Sequence, residues 1–410
     1  MIKSNNKLHF LFLQGMSSAF FRRVGKKLEK NNCRVSRINL CIGDWIFWNG
    51  KDSYNFRGKI SDWKEFIENF LNTNKVTHII LVGEQRKYHN TAIQSAKKIG
   101  VNIIVTDFGY LRPDWIAMER DGMNGTSLIP QNINDILSIN KNLPETDLCT
   151  TYSDSEFNMI SRDVVYSFSN LIDFIFFPHY IRSDNRPNPA KGFFFSLIKW
   201  IKLLYYYNKT KRFTNYIESG NLNFFLYAMQ LEHDFQIVKY SQYDNLIEPL
   251  KEIIESYAKN CSRDVSLIIK NHPCDLGIRK WEKIIKKIAK EYNVENFIYF
   301  VDGGTSLDKF LKHSKGLITV NSTSGLRALQ LDCPVKTLSQ AVYNINGMTY
   351  QGKLDDFWKN MTKPLSKNID AFINVLALKY HIRGVFFKEP GMSNGIYEFT
   401  NKLINDDVGI

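Results

Sequence analysis

No two of the six cysteines, at positions 33, 41, 149, 261, 274 and 333, form a CxxC pair. Zinc knuckles and thioredoxin-like redox motifs are therefore not expected. No DxD pair occurs either, and neither a metal nor another cofactor is expected. No apolar run approaches the ~20 residues that a membrane-spanning helix needs. No secretory leader is legible, because residues 1–7 pass straight into a short apolar run at 8–13. The expectation is a cytoplasmic chain with reduced thiols that meets any membrane from the side. Internal repeats and low-complexity tracts are missing too.

What is present fits a folded two-domain protein. The 410 residues exceed one ordinary core and suit two domains of ~150–200 residues. Hydrophobic residues make up 44% and charged residues 23%, which excludes a disordered chain. The formal net charge of +13 asks for anionic partners: nucleic acid, nucleotides or anionic lipid. No nucleic-acid recognition motif accompanies the charge, so nucleic acid is not expected. The 29 Phe and 20 Tyr fit sugar stacking or a membrane surface, and equally an AT-rich coding bias.

Short apolar runs alternate with helical patterns in both halves. Candidate strands are 8–13, 78–82 and 101–106, then 224–229, 265–269, 297–301, 316–320 and 335–338. A basic helix carries Arg22, Arg23, Lys26 and Lys27, and further helices lie at 92–99, 281–292 and 306–313. Such alternation predicts parallel sheets covered on both faces. Residues 150–220 show no strand and read as helical and aromatic, broken at Pro187 and Pro189. Ligands of parallel sheets bind beyond the carboxyl ends of the strands, which directs attention to the residues after each run.

Asn321-Ser322-Thr323-Ser324-Gly325 follows one strand and opens a helix. It reads as an anion seat or as an ordinary N-cap cluster. It lacks a P-loop lysine, which disfavours an NTPase. Lys270-Asn271-His272-Pro273 follows another strand, and two such elements in one half favour a nucleotide-sugar site. Asp107-Phe108-Gly109-Tyr110-Leu111-Arg112-Pro113 offers a carboxylate, an aromatic and an Arg for a charged sugar, or a turn capped by Asp107. Glu84, Arg86 and His89 follow Gly83, and Asp44 follows Gly43, so charged groups collect at one edge of the first half. Gln230 with Asp234 and Ser241, and the stretch 343–352 with Tyr350 and Gln351, are candidates for a ribose or base pocket or for plain loops.

These strings resemble the KpsS/LipB type of capsule polysaccharide synthesis and export protein. The carriers are Leu13-Gln14-Gly15 with Phe20-Phe21, Gly43-Asp44, residues 109–113, and Gln230 with Asp234. His272-Pro273, Asn321-Ser322-Thr323 with Gly325, and Gly347 with Thr349-Tyr350-Gln351-Gly352 complete them in family order. The family usually has Glu at position 107 and often Asp at 84. The resemblance implies an α/β fold of GT-B-like form: two Rossmann-like domains facing a cleft, with a helical aromatic insertion between them. Expected bounds are 1–150 for an acceptor and catalytic domain, 151–220 for a basic-aromatic linker, 221–380 for a nucleotide-sugar domain and 381–410 for a tail returning to the first. The implied activity is a retaining Kdo transfer from CMP-Kdo to a lyso-phosphatidylglycerol-type lipid, starting the poly-Kdo linker of capsule. A transferase using another nucleotide sugar, or a non-catalytic glycolipid-binding export component, is the alternative.

The catalytic group is expected to comprise Asp107 as nucleophile with Arg112, Glu84, Glu119 and His272. The donor would meet Lys270, His272, Pro273, Asn321, Ser322, Thr323, Gly325, Gln230, Tyr350 and Gln351. The acceptor glycan would meet Gln14, Gly15, Asp44, Arg86, His89 and Tyr110. Expected partners are the nucleotide sugar, a phospholipid or glycolipid acceptor and capsule assembly or export proteins, at the inner face of the cytoplasmic membrane. The stretch 186–217 has no Asp or Glu, and a helix over 193–207 would put Trp200 and Leu204 opposite Lys199, Lys202 and Lys209. That is the pattern of an interfacial helix, or of one packed on a domain.

Overall fold

The computed structural model describes residues 8–182, 189–232, 234–303 and 306–409, with part of the helix Pro189–Glu218 described by its backbone alone. The chain forms two compact units, one of Met1–Ile129, Leu143–Asp184 and Asn374–Ile410, the other of Pro130–Asn142 and Asn185–Ile373. The expected bounds are thus crossed more than once. Residues 130–142 belong to the second unit. The 151–220 region is shared between the two, because its first part hydrogen-bonds into one unit and its second part into the other.

The first unit holds β1 (His9–Phe12), β2 (Arg34–Asn39), β3 (Ser53–Asn55), β4 (His78–Val82), β5 (Asn102–Phe108) and β6 (Trp115–Arg120). The second holds β7 (Phe224–Ala228), β8 (Ser266–Lys270), β9 (Ile298–Val301), β10 (Leu317–Thr319) and β11 (Val335–Thr337); β12 (His381–Arg383) returns to the first. The sheet orders are β12-β6-β5-β4-β1-β2-β3 and β11-β10-β7-β8-β9. Both contain the doubly wound 3-2-1-4-5 order, so both units are Rossmann-like. The order reverses beside β1 and β4 in one unit and beside β7 and β10 in the other.

The second sheet is wholly parallel. The first gains two antiparallel strands, β6 against β5 and β12 against β6. Sequence pattern alone shows neither. β6 follows β5 after a six-residue loop, and all but its last residue are buried, which leaves no alternation to read. β12 finds its partner more than 260 residues away.

Local chemistry explains the helices. In Phe20–Lys30, Phe20, Phe21, Val24, Gly25 and Leu28 face inward, while Lys27 and Lys30 complement the negative end of the helix dipole. Lys87–Ile99 ends at Gly100, whose φ of 78° is the left-handed cap that glycine adopts most easily. The closing helix Gly391–Ile404 packs on Phe20–Lys30, and Phe20 meets Phe386 and Phe399 edge-on at 5.0 and 5.7 Å. These rings join Phe10, Phe12 and Ile116 in the first core. Phe225, Tyr257 and Trp358 anchor the second.

Truncating a core aromatic costs ~3–5 kcal/mol. Phe399→Ala should lower the stability of the full chain by about that amount in chemical denaturation. A loss below ~1 kcal/mol would show that the C-terminal helix is not part of the first core.

Candidate functional site

At the first unit's switch point, the backbone carbonyl of Gln14 extends the β1–β4 ladder by accepting the Val82 N–H at 3.1 Å. The Gln14 amide donates to Asp44 Oδ2 at 3.0 Å and to the hydroxyls of Tyr166 and Tyr180 at 3.2 and 3.4 Å. Asp44 Oδ2 also accepts the Leu40 N–H at 3.0 Å, and Oδ1 pairs with Arg37 at 3.1 Å. Arg37 further donates to the Leu13 carbonyl and lies over the Trp48 ring. Gln14, Asp44 and Arg37 are all buried. A buried ion pair earns its place only when its remaining hydrogen bonds are satisfied, as they are here. Gln14 and Asp44, expected to touch the glycan, are thus spent on holding β1, β2 and the helix Ile42–Trp48 together. Burial, then the Asp44 charge, push the neighbouring Cys41 thiol well up, so it is unreactive.

Gly83 takes φ 67°, a conformation that favours glycine, and its carbonyl meets His89 Nδ1 at 2.8 Å. His89 is fully buried, and burial, then the Arg86 charge, lower its pKa to about 3. It shapes the turn from within through Nδ1, while its Nε2 is buried without a hydrogen-bond partner. Other groups flank Gly83. A Cβ there would lie 3.8 Å from Asp107 Oδ2 and 4.0 Å from Arg86 Nε. Asp107 and Arg86 are each only half-buried, and Asp107 Oδ1 accepts its neighbour's N–H, from Phe108, at 2.7 Å. Arg112 is exposed and stands over the Phe108 ring at 4.9 Å.

The other acids of this edge lie inside. Glu84 Oε2 accepts the Met123 N–H at 2.8 Å and the Thr126 hydroxyl at 2.7 Å. Glu119 accepts the Tyr110 hydroxyl at 2.7 Å and the Ser127 hydroxyl, and Tyr110 in turn accepts the Asn124 N–H at 3.0 Å. Glu84, Glu119 and Tyr110 are buried, and desolvation raises the Glu119 pKa to about 7. Together they pin the turn 123–127. Sequence alone cannot separate them from Asp107, because all are polar residues close to strand ends.

In the second unit, Gln230 and Asn321 bridge the switch point. Gln230 Nε2 donates to Asn321 Oδ1 at 2.9 Å, and Gln230 Oε1 accepts the Asn321 N–H at 3.2 Å. The Asn321 amide then donates to the Gln236 carbonyl at 2.7 Å. Both side chains are consumed by this lock, which sets the start of the 322–325 turn. There Ser322 Oγ accepts the Ser324 N–H at 3.2 Å, and the Tyr343 hydroxyl donates to the Ser322 carbonyl. Gly325 packs on Tyr343 so closely that a Cβ would collide with its hydroxyl. The helix Ser324–Gln330 has only seven residues, so the Ser322 and Thr323 hydroxyls matter more here than a helix dipole.

Lys270 ends β8 beside this turn's strand neighbours, buried, with its ammonium 5.5 Å from the Phe310 ring centre. Desolvation lowers its pKa to about 8, with Asp302 opposing and Lys199 adding to the effect. His272 Nδ1 accepts the Cys274 N–H at 3.1 Å, which leaves Nε2 as the donor, and Pro273 is exposed. Lys199 is the surprise. Its ammonium donates to the Pro273 carbonyl at 3.2 Å and to the Asp275 carbonyl, and lies 3.6 Å from Asp302. It is buried. Lys199 therefore leaves the expected face of membrane-directed lysines: it braces the His272-Pro273 turn, whose carbonyls and nearby carboxylate draw it inward, while Lys209 is exposed. The side chains of Trp200, Lys202 and Leu204 lie outside the described residues.

Tyr350 and Gln351 do not join this group. The Tyr350 N–H bonds the Val335 carbonyl at the amino end of β11, and its ring packs 5.3 Å from Phe357. Gln351 donates within its own loop, to Thr349 Oγ1 at 2.7 Å. The residues that sequence reasoning missed are Arg37, Tyr166, Lys199 and Asp302. Arg37 alone left a signal, a charge within a strand; the others act through contacts distant in sequence. Among the described residues no three His, Cys, Asp or Glu groups gather as metal ligands. A cavity of about 430 Å³, lined by Glu252, Lys259, Lys336 and Asp355 among others, includes none of the expected site residues.

Two doubly wound units with polar groups at the carboxyl ends of their strands define the Rossmann-like α/β class, whose ligands bind at switch points. Residues 77–387 match the model of the capsule polysaccharide biosynthesis protein family, and the chain belongs to that family. It is 27% identical to the capsule polysaccharide modification protein LipB of Neisseria meningitidis serogroup A over 94% of this chain and 93% of that one. It is 26% identical to the capsule polysaccharide export protein KpsS of Escherichia coli, over 92% and 96%. A solved structure, the beta Kdo 2,7 transferase KpsC of Thermosulfurimonas dismutans, aligns over 97% of this chain and 99% of that one, with 13% identity and a TM-score of 0.46.

The buried acids carry a pH signature. Folded Glu119 keeps its proton up to about pH 7, whereas the unfolded side chain releases it near 4.5. The folded state thus binds more protons over that window, and stability falls as pH rises through it. Glu119→Gln retains the neutral hydrogen-bonding shape. It should flatten the decline and match or exceed the wild-type melting temperature at pH 8. A steeper decline in the variant would mean that the ionised carboxylate stabilises this network.

Proposed function

We propose that the protein is a glycosyltransferase that moves Kdo, an acidic ketose, from CMP-Kdo to a lyso-phosphatidylglycerol-type lipid acceptor. The product starts the poly-Kdo linker of capsular polysaccharide. Membership of the capsule polysaccharide biosynthesis family supports the pathway. The observation that carries the reaction is the half-buried Asp107 carboxylate, which flanks Gly83 together with Arg86 at a switch point. Glu84 and Glu119 are buried whereas Asp107 is only half-buried, which favours Asp107 as the reacting carboxylate.

In this reading transfer retains configuration through two displacements. An Asp107 oxygen bonds to the anomeric carbon while the bond to the CMP phosphate breaks, and CMP departs with its electrons. The acceptor hydroxyl oxygen then replaces Asp107 at that carbon, its proton passing to the CMP phosphate or to solvent. Both transition states are oxocarbenium-like, and a facing carboxylate stabilises them electrostatically. Exposed Arg112, which stands over the Phe108 ring, carries the planar fork suited to the sugar carboxylate. CMP is assigned to the second unit. The Ser322 and Thr323 hydroxyls, Lys270 and the His272 Nε2 donor would face its phosphate, and the Gln230–Asn321 lock would hold that turn in place. The protein would work without a metal, peripherally on the inner face of the cytoplasmic membrane. Among the described residues no helix is long and apolar enough to cross one.

Mass spectrometry after incubation with CMP-Kdo and a lyso-phosphatidylglycerol analogue tests the reading. A Kdo increment is expected, and Asp107→Asn should cut its rate by orders of magnitude while CMP still binds. Near-normal turnover in that variant would make Asp107 structural. Turnover with another nucleotide sugar alone, or lipid binding without turnover, would replace the proposed donor or the catalytic role.

Losing a hydrogen bond to a charged group costs ~1.5–3 kcal/mol, or about ten- to a hundredfold in affinity. Ser322→Ala/Thr323→Val should therefore weaken calorimetric CMP binding by at least about tenfold. Unchanged affinity in a folded variant would place the nucleotide elsewhere.

A further inference from the structure

The helical segment after Ser155 is amphipathic in the reversed sense. It comprises the helix Glu156–Ser169, the turn Asn170–Ile172 and the short helix Asp173–Phe176. Between Phe157 and Pro178 every exposed residue is apolar. Phe157 is 79% exposed and Phe174 71%, with Ile160, Phe168, Ile175 and Phe176 among their neighbours on the surface. The polar side chains of the same stretch turn inward. Asp163 accepts from Ser17, and Tyr166 donates to Asp44 at 3.2 Å. Asn170 accepts the Gly43 N–H at 3.0 Å and Asp173 the Ile42 N–H at 2.8 Å. Asp173 is itself buried, and desolvation lifts its pKa to about 6. Four polar anchors along the inner side thus hold the apolar side chains outward.

We propose that this face is a membrane-docking surface, whose side chains enter the interfacial region of a lipid bilayer. A soluble helix normally buries its apolar stripe and wets its polar one; the reverse arrangement suits an apolar medium. The choice of occupant rests on charge and shape. The exposed run carries no formal charge, which matches hydrocarbon and not an anionic surface. Side chains exposed to this degree protrude, and a fluid bilayer receives protruding groups without a complementary groove, which a protein partner would have to supply. Polar groups appear where the run ends: His179 is exposed there and Arg182 is half-buried, both of a kind suited to phosphate headgroups. Trp45, 54% exposed on the helix Ile42–Trp48 that packs against this segment, adds an aromatic group of the kind found at the headgroup boundary.

The position serves the proposed chemistry, although docking does not depend on it. The inward side of the segment touches Gln14 and Asp44 at the first unit's switch point, so its outward side lies about one helix diameter, ~10 Å, from that edge. A lipid acceptor would arrive already close to its site.

Vesicle flotation of the full chain, without any donor, tests docking separately from transfer. The wild type should float with neutral phosphatidylcholine vesicles and with vesicles containing phosphatidylglycerol, at low and high salt alike. Phe157→Ser/Phe174→Ser/Ile175→Ser should lose flotation and keep its circular dichroism and CMP affinity. If that variant misfolds, Phe168→Gln at a second point of the face should weaken flotation in its place. The proposal fails if the wild type stays unbound, or if the folded variants float equally well. It also fails if binding needs anionic lipid and is released by salt, which would move the anchor to the basic stretch 186–217. A wild-type dimer in sedimentation velocity that the triple variant dissociates, without flotation, would assign the face to a second copy of the chain.

Discussion

Parallel strands cannot be joined by tight turns. Each needs a crossover, and each crossover returns the chain to the same edge of the sheet. In both units this constraint gathers every β-strand carboxyl end of the parallel set along one edge. The reversal of strand order then parts the crossovers beside β1 and β4, and beside β7 and β10. Much of the expected site, among the described residues, stands at those two places. Gln14, Gly83 and Asp107 share one edge, and Gln230, Lys270 and Asn321 share the other, although wide stretches of sequence separate them.

A switch point is also a weak point, because strand ends leave backbone and side-chain polar groups without ladder partners. The molecule answers with buried polar locks. Arg37, Asp44 and Gln14 tie three elements together in one unit. Gln230 and Asn321 do so in the other. Each lock engages its own side chains and fixes the strand ends it joins, while Asp107 and Ser322 elsewhere along the same edges stay half-buried. Residues of similar chemistry thus divide into those that build the site and those that face it. The division follows packing: His89 is enclosed, and Arg86, three residues earlier, is not.

The same economy extends to the helices. Lys199 leaves the expected row of surface lysines to brace a turn of the second unit. The segment after Ser155 sends its polar groups into the first unit and its apolar groups out. Helical periodicity can mark a stripe. It does not say which stripe faces inward, because that depends on what the neighbouring element offers. Carbonyls and carboxylates at strand ends attract polar side chains as effectively as a core attracts leucine.

Much was legible before any coordinates. The strands at 78–82 and 224–228, the basic helix after Gly15 and the parallel character of both halves follow from short apolar runs and their spacing. So does the placement of polar strings just after strands, since local pattern and turn chemistry set where strands stop. The two antiparallel strands were not legible, because β6 is almost wholly buried and β12 comes from the far end of the chain. Nor was the difference between Asp107 and Glu84, or the separation of Tyr350 from Lys270. Sequence determined which groups lie near strand ends; only tertiary structure decided which of them keep access to solvent. Burial is fixed by segments as remote as Tyr166 is from Gln14, 152 residues away, and no local pattern records such a contact.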